Sequence, residues 1–133
     1  MRAIIYALML VAATLAGCSK DTSHGVVEGT VTLDGKPLGK GLIRFTPKNG
    51  DTATADATIV DGVFSVRAPI GEKRVSIASP KVVGQRKAYE TADSPMVDVI
   101  EEAIPARYNN NTELTMNVKP GNQPAKFELK TEN

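Results

Sequence analysis

The chain has 133 residues, with 16 Lys and Arg against 15 Asp and Glu, and its formal net charge is +1 at pH 7. This balance argues against a nucleic-acid partner, which would select a basic surface, and against binding to a membrane by charge alone. The sequence contains one cysteine and no tryptophan, which excludes an internal disulfide and removes the best aromatic platform for a sugar.

The N-terminus has the order of parts of a secretory signal. Met1 and Arg2 give a short positive region, and residues 3–14 form an apolar run of about a dozen residues. That run is shorter than the roughly 20 apolar residues that a membrane-spanning helix needs. Residues 15–18, Leu-Ala-Gly-Cys, then resemble the lipobox of bacterial lipoproteins. An ordinary signal peptide and an uncleaved anchor are the alternatives.

The lipobox resemblance implies that a lipid is attached to the Cys18 thiol and that the chain is cleaved just before this residue. It divides the chain into a signal peptide over 1–17, a lipidated cysteine and tether over 18–24, and one domain over 25–133. Residue 19 is serine, not the aspartate that retains such lipoproteins at the inner membrane, which favours the outer membrane of the cell envelope. His24, the single histidine, is interpreted as a solvated tether residue.

From residue 25 onward, apolar and polar residues alternate with the period of a half-buried β-strand. Seven such runs are separated by turn signals, among them Asp34-Gly35, Asp61-Gly62 and Pro120-Gly121. The pattern predicts an all-β fold, a seven-stranded antiparallel Greek-key sandwich. The residues predicted to face inward are Val27, Val31, Leu33, Ile43, Phe45, Ala53, Ala55, Ala57, Ile59, Phe64, Val66, Ala68, Val75, Ile77, Leu114, Met116, Val118, Ala125, Phe127 and Leu129.

Several short motifs carry a resemblance to a known family. Residues 27–31 (Val-Glu-Gly-Thr-Val), 34–38 (Asp-Gly-Lys-Pro-Leu) and 61–64 (Asp-Gly-Val-Phe) resemble carboxypeptidase-regulatory-like domains, which have a transthyretin-like (prealbumin-like) sandwich. Residues 104–109 and 112–114 are similar to short predicted lipoproteins of planctomycete type, which combine a lipobox with this domain. The resemblance implies a non-catalytic, extracytoplasmic module, and it brings no activity with it.

The polar residues do not form a pattern typical of catalysis or metal binding. Asp51, Asp56 and Asp61 offer oxygen ligands for calcium, but Asp56 is predicted within a strand and Asp61 in a turn. The adjacent carboxylates of Glu101 and Glu102 diverge on a strand or a helix, which argues against an acid/base pair. One histidine and one cysteine are too few for a zinc site. We therefore expect no enzymatic activity, no metal and no cofactor.

Residues 81–111 lose the alternation, and this length is unusual for a loop in a compact domain. Within the stretch, Ser94-Pro95 and the spacing of the following apolar residues predict either a short helix over 95–104 or an extended edge segment. Cationic and aromatic side chains, the types enriched at interface hot spots, are mixed here. The predicted partner-binding residues are Arg86, Lys87, Tyr89, Arg107 and Tyr108.

The sequence thus predicts a lipid-anchored, non-enzymatic module of the cell envelope that acts through protein contacts or as a structural surface component. Its expected partners are the membrane, through the lipid, and an envelope protein, with no nucleic acid. The alternative is a lipoprotein that binds a small ligand or a glycan through the 81–111 segment. In that alternative Tyr89 and Tyr108 are the aromatic candidates.

Overall fold

The computed structural model describes residue 17, residues 22–50 and residues 52–132. The predicted lipidation site Cys18, residues 1–16 of the predicted signal peptide, residues 19–21 of the predicted tether, and Asp51 lie outside the described residues. The elements are β1 (His24–Leu33), β2 (Lys36–Pro37), β3 (Lys40–Pro47), β4 (Ala55–Val60), β5 (Val63–Pro69), β6 (Gly71–Ala78), β7 (Pro80–Lys87), β8 (Met96–Glu102), a 3-10 turn (Ala106–Tyr108), β9 (Thr115–Val118) and β10 (Gly121–Leu129). The described residues contain no α-helix, so the predicted all-β class is confirmed.

Eight strands, β1 to β6 with β9 and β10, form one curled sheet. The strand order is β10-β1-β5-β4-β3-β6-β9, with β2 paired to β1, and all neighbours are antiparallel except β1 and β10. The register joins β4 to β5 only at Val60 and Val63, so the sheet bends there into two halves. The rings of Phe45 on β3 and Phe64 on β5 lie 6.3 Å apart between centroids. The two halves therefore pack face to face, broadly as a β-sandwich.

Alternation along each strand decides which side chains enter the core. In β3, Ile43 and Phe45 are fully buried, whereas Leu42 and Arg44 between them are exposed, as a period of two requires. The predicted inward residues of β1, β4, β5 and β6 follow the same rule. Ala53 is an exception, because it lies before β4 and is exposed. The seven predicted runs are otherwise found as strands of the curled sheet.

A lysine also occupies an inward position. In β6, Lys73 precedes Val75 and Ile77 on the buried face and is only 1% exposed. Its ammonium donates a hydrogen bond to Thr52 Oγ1 at 2.6 Å. Burial disfavours the charged form and lowers the pKa of Lys73. The strand period therefore fixes the face of this residue in spite of the cost of burying its charge.

The stretch predicted to be irregular contains a second sheet. β7 and β8 pair antiparallel with each other and form a separate two-stranded sheet, which we call the hairpin (residues 80–102). The helix predicted over 95–104 is wrong, and the extended alternative is the conformation found. Val97, Val99 and Ile100 are β-branched and favour an extended backbone. Ile100 is exposed, whereas Ile104, beyond the hairpin, is buried in the core of the curled sheet.

The Asp61-Gly62 turn between β4 and β5 is confirmed. Asp61 has φ 51° and Gly62 has φ 78°, the left-handed conformation of a two-residue hairpin turn. The Gly62 N–H donates to the Leu38 carbonyl at 2.7 Å. A Cβ at Gly62 would lie 2.8 Å from the Pro37 Cβ. Both the backbone angle and the close packing against Pro37 therefore require glycine at this position.

Candidate functional site

The structure places the predicted partner-binding residues on two separate elements. Arg86 and Lys87 are exposed at the end of β7, and Tyr89 follows in the loop of the hairpin, where it is 68% exposed. Arg107 and Tyr108 lie in the 3-10 turn after Pro105. The two groups therefore have to be considered separately.

Arg107 and Tyr108 hold the C-terminal segment against the curled sheet. The Arg107 guanidinium donates to the carbonyls of Lys130 and of Glu132, the latter at 2.8 Å, and lies 4.9 Å from the centroid of the Tyr108 ring. The Tyr108 hydroxyl accepts a hydrogen bond from the Lys130 N–H at 3.2 Å. The hydrogen bond from Arg107, followed by that from Lys130, lowers the pKa of Tyr108. These contacts indicate a structural role for both side chains.

Asp34 makes a second attachment of the same segment. Its carboxylate accepts hydrogen bonds from the Thr131 N–H at 3.0 Å and from the Thr131 hydroxyl at 2.8 Å. The backbone hydrogen bond and then the side-chain hydrogen bond hold the pKa of Asp34 below its ordinary value of 3.8. The turn between β1 and β2 is thereby joined to the residues that follow β10.

The hairpin is the most exposed part of the described chain. Every residue of β7 is exposed, and in β8 only Val99 is not. Among the described residues ten large apolar side chains are exposed, and six of them lie in the hairpin. These six are Val82, Val83, Tyr89, Met96, Val97 and Ile100. Exposed apolar surface concentrated in one element is typical of interaction sites.

The loop of the hairpin is closed by local hydrogen bonds. The Ala88 N–H donates to the Pro95 carbonyl at 2.9 Å, and the Tyr89 N–H donates to the Ser94 hydroxyl at 2.7 Å. Ser94-Pro95 therefore ends a turn instead of starting a helix. On β7 the register shifts between Val82 and Gly84, which leaves Val83 as an extra residue in a β-bulge.

The root of the hairpin is fastened to the curled sheet by two polar side chains. The hydroxyl of Ser79, a buried residue, donates to the Lys40 carbonyl at 2.6 Å. Glu102 Oε1 accepts from the Ser79 N–H at 2.6 Å and from the Ile104 N–H at 3.0 Å. The Ala103 N–H donates to the Ser79 carbonyl at 3.1 Å. The hairpin is thus fixed at its root while its length lies in solvent.

Three of the exposed apolar side chains of the hairpin share one face, whereas Val97 lies on the other. Cross-strand partners share a face in an antiparallel pair, and Val82 is the partner of Ile100. Met96 and Asp98 lie on the same face as Ile100, because alternate residues of a strand do. Val82, Ile100 and Met96 therefore form an apolar strip that Asp98 interrupts.

A cleft of about 560 Å³ lies between the root of the hairpin and the β1–β2 turn. Leu33, Leu38 and Val82 supply apolar walls, and Lys36, Lys40 and Lys81 supply three ammonium groups. Within the part of the chain that the structure describes, none of these lysines forms an ion pair. The cleft therefore suits a ligand that carries negative charge.

Of the three aspartates considered for calcium, Asp56 has its carboxylate engaged by another side chain. Arg44 donates to both oxygens of Asp56, at 2.8 Å and 3.0 Å, and this lowers the pKa of Asp56. Asp61 lies in the turn that docks on residues 37–39, and Asp51 lies outside the described residues. No group of three His, Cys, Asp or Glu that could hold a metal ion occurs among the described residues.

Sequence reasoning missed the apolar part of the hairpin and both of its root residues. The available signal was the β-branched content of 97–100 and the Val82-Val83 pair, which favour strands. The spacing of Val97, Ile100 and Ile104 also fits a helix, and this ambiguity concealed the strand. Ser79 and Glu102 give no signal in the sequence, because the contacts that join Ser79 to Lys40 and to Glu102 are between residues distant in the chain.

No helix within residues 22–50 and 52–132 is long and apolar enough to cross a membrane. A comparison of the chain with protein-family models, with curated proteins and with solved structures finds no match in any of the three.

Proposed function

We propose that this protein is a lipid-anchored, non-enzymatic module of the cell envelope that binds a protein partner through the hairpin. In this proposal Cys18 carries the lipid and a seven-stranded Greek-key sandwich of the transthyretin-like type forms the scaffold. The observation that carries the binding function is the set of six exposed apolar side chains on the hairpin. The lipobox resemblance supports the location.

Physical reasoning favours a protein as the occupant of this surface. A two-stranded hairpin is at best marginally stable in water when nothing covers it. Aliphatic side chains interleaved with charges are typical of protein interfaces, which combine an apolar centre with a polar rim. The hydrogen bonds of Ser79 and Glu102 fasten only the root of the hairpin. Nearly all residues of β7 and β8 are exposed, so both faces of the hairpin are accessible.

A crosslinking pull-down from the envelope fraction tests the binding function. We expect Val82→Ser/Ile100→Ser to lose its crosslinked partners and to keep its melting temperature, because both side chains are exposed. The matched control is Val60→Ser/Val63→Ser, another exposed cross-strand pair, located at the β4–β5 turn. An unchanged partner profile in the hairpin variant would assign the binding surface elsewhere.

The polar end of the same surface is tested separately. Replacing Arg86, Lys87 and Tyr89 together with alanine removes two charges and the exposed ring. We expect a nearly unchanged melting temperature and a loss of crosslinked partners. A folded triple variant with the wild-type partner profile would confine binding to the apolar strip.

The anchor is tested by Cys18→Ser. Acyl chains contribute about 0.8 kcal/mol per buried methylene, and stable anchoring takes two signals. We expect the variant to leave the membrane fraction with its far-ultraviolet circular dichroism unchanged. A Cys18→Ser chain that stays with the membrane fraction would overturn the lipoprotein assignment and leave the hairpin prediction intact.

The cleft supports a second candidate function, the binding of an anionic small ligand or glycan. Its support is the combination of apolar walls with three lysines that form no ion pair among the described residues. A glycan array that includes uronate-containing and sulfated glycans tests it. The expected signal is saturable and disappears in Lys36→Ala/Lys40→Ala/Lys81→Ala. Signals of equal strength from the variant would reject the cleft as the site.

A further inference from the structure

The two strands of the hairpin carry opposite charges. β7 contains Lys81, Arg86 and Lys87 and no acidic residue, whereas β8 contains Asp98, Glu101 and Glu102 and no basic residue. One strand therefore has a formal charge of +3 and the other −3. Charges of one sign along a whole strand attract a neighbouring strand of opposite charge and repel one of like charge.

Ion pairs within the hairpin do not neutralise these charges. The register places Lys81 opposite Glu101, but Arg86 faces Val97 and Lys87 faces Met96. Among the described residues no ion pair within 4.0 Å connects β7 to β8. Gln85 donates to Asp98 at 2.9 Å, and Glu102 is held at the root, but no cation within the described residues neutralises either carboxylate.

Both outer edges of the hairpin are open. β7 pairs only with β8 among the described strands, so each strand directs alternate N–H and C=O groups away from its partner. An open edge of this kind is a template for pairing with another strand. Main-chain hydrogen bonds would supply affinity, and the charges would select the strand that is accepted.

A second copy of this chain has a strand of the required charge for each edge. Pairing β7 with β7 of another copy, or β8 with β8, would place three like charges beside three others. Pairing β8 with β7 of the next copy, in the register found within the hairpin, places Glu101 opposite Lys81 and Asp98 diagonal to Lys87. Opposite charges across neighbouring strands are stabilising and like charges are destabilising.

We propose that β8 of one copy pairs with β7 of a second copy and extends the hairpin into a sheet that is shared between molecules. This inference rests on the proposed function, because it identifies the protein partner of the hairpin. The copies are related by a translation, which repeats the antiparallel order β7-β8-β7-β8. The contact is head to tail and can continue from copy to copy.

The translation also brings the apolar strips together. Val82 lies opposite Ile100 within one hairpin, and the same register between copies puts Ile100 beside Val82 of the next. Val82 is 61% exposed and Ile100 is 65% exposed in the single chain. Pairing between copies would reduce the exposure of both side chains and join them into a continuous apolar stripe. Molecules attached to one membrane by the same residue all have the same orientation, which suits a translation and disfavours a two-fold axis in the membrane plane.

Cysteine crosslinking between co-expressed, differently tagged full-length chains tests the arrangement. One chain carries Val82→Cys and the other carries Ile100→Cys, so that neither can form a disulfide within its own hairpin. We expect a disulfide between the two kinds of chain, with at least tenfold less between identical ones. The matched control, Val60→Cys with Val63→Cys, should give no crosslinked product.

Charge reversal in the same cysteine-bearing chains tests whether charge selects the partner strand. The β7 variant is Lys81→Glu/Arg86→Glu/Lys87→Glu, and the β8 variant is Asp98→Lys/Glu101→Lys, with Glu102 kept because it fastens the root. Each variant has two like-charged strands, and by itself it should lose at least tenfold of the crosslinked product. Co-expression of the two should restore it, since the acidic β8 of one meets the basic β7 of the other.

The outcomes separate this inference from the proposed function. The head-to-tail mode would be overturned if identical Val82→Cys chains formed disulfides with each other as abundantly as they form the mixed product. Absence of all crosslinks between copies, while Val82→Ser/Ile100→Ser still loses other envelope partners, would overturn self-pairing and retain the hairpin as a binding surface. A mixed disulfide that charge reversal does not reduce would show that charge does not select the partner strand, which also overturns the inference.

Discussion

In the curled sheet, Val27, Ile43 and Val75 occupy alternating positions on three strands and are fully buried. In the hairpin, Val82 and Ile100 also occupy alternating positions and face each other across two strands, yet both are mostly exposed. The difference is the number of layers, because each half of the curled sheet has the other half to pack against. Alternation determines which face of a strand is apolar, and only a second layer makes that face a core.

The two regions also differ in how their polar groups are used. In the curled sheet Lys73 is inside, and its ammonium has Thr52 as a hydrogen-bond partner. In the hairpin the charges lie in solvent, and the polar contacts that matter to the fold are concentrated at Ser79 and Glu102. The curled sheet is thus a scaffold, and the hairpin is a surface element held by that scaffold.

Truncation of one side chain in each region should give the largest difference between them. Phe64→Ala removes a ring that packs between Phe45 and Phe127, and we expect a loss of about 3–5 kcal/mol in the free energy of unfolding. Ile100→Ala should change it by no more than about 0.5 kcal/mol. Urea denaturation measures both. An equal cost for the two variants would mean that the hairpin packs on the curled sheet in solution.

Two glycine substitutions compare a docked turn with an open one. Gly62 and Gly121 both have positive φ, but only at Gly62 would a Cβ meet other atoms, with Pro37 Cβ at 2.8 Å and the Val31 carbonyl oxygen at 3.1 Å. The left-handed conformation costs a non-glycine residue about 1–2 kcal/mol, and Gly62→Val adds the collision to this cost. We expect Gly62→Val to lower the melting temperature more than Gly121→Ala. Equal decreases would indicate that the turn is not docked on β2.

The smallest expected effect concerns the buried charge of Lys73. Burial lowers the pKa of this lysine in the folded protein below its ordinary value of 10.5. At a pH between the pKa of the folded state and that of the unfolded state, the unfolded chain therefore binds more protons than the folded protein. Stability must therefore rise with pH through that window. Lys73→Met removes this dependence, and a buried charge replaced by an apolar side chain often leaves stability unchanged or higher.

The measurement for Lys73 is the melting temperature of the wild type and of Lys73→Met between pH 7 and pH 10. At pH 7 we expect Lys73→Met to melt at the same temperature as the wild type or higher. As the pH rises, the melting temperature of the wild type should increase relative to that of the variant. Parallel curves at all pH values would show that the Lys73 ammonium is solvated in the folded protein. Arg74→Met, at the exposed neighbouring position, is the matched control and should show no such shift.

The candidate site was only partly predictable from the sequence. The residue types of Arg86, Lys87 and Tyr89 predict partner binding, and all three residues are exposed on the hairpin. Arg107 and Tyr108 were grouped with them by proximity in the chain, whereas their hydrogen bonds run to Lys130 and Glu132. Such long-range contacts leave no mark on local composition.

The sequence by itself determined the all-β class, the faces of the seven alternating runs and the Asp61-Gly62 turn, because each of these depends on interactions between residues close in the chain. The tertiary structure decided the conformation of 95–104, where strand and helix patterns fit the residues about equally well. It decided this by pairing β8 with β7 and by fastening Glu102 to Ser79. It also decided which apolar faces are buried, since burial depends on whether a second layer lies opposite, and that is a property of the whole fold.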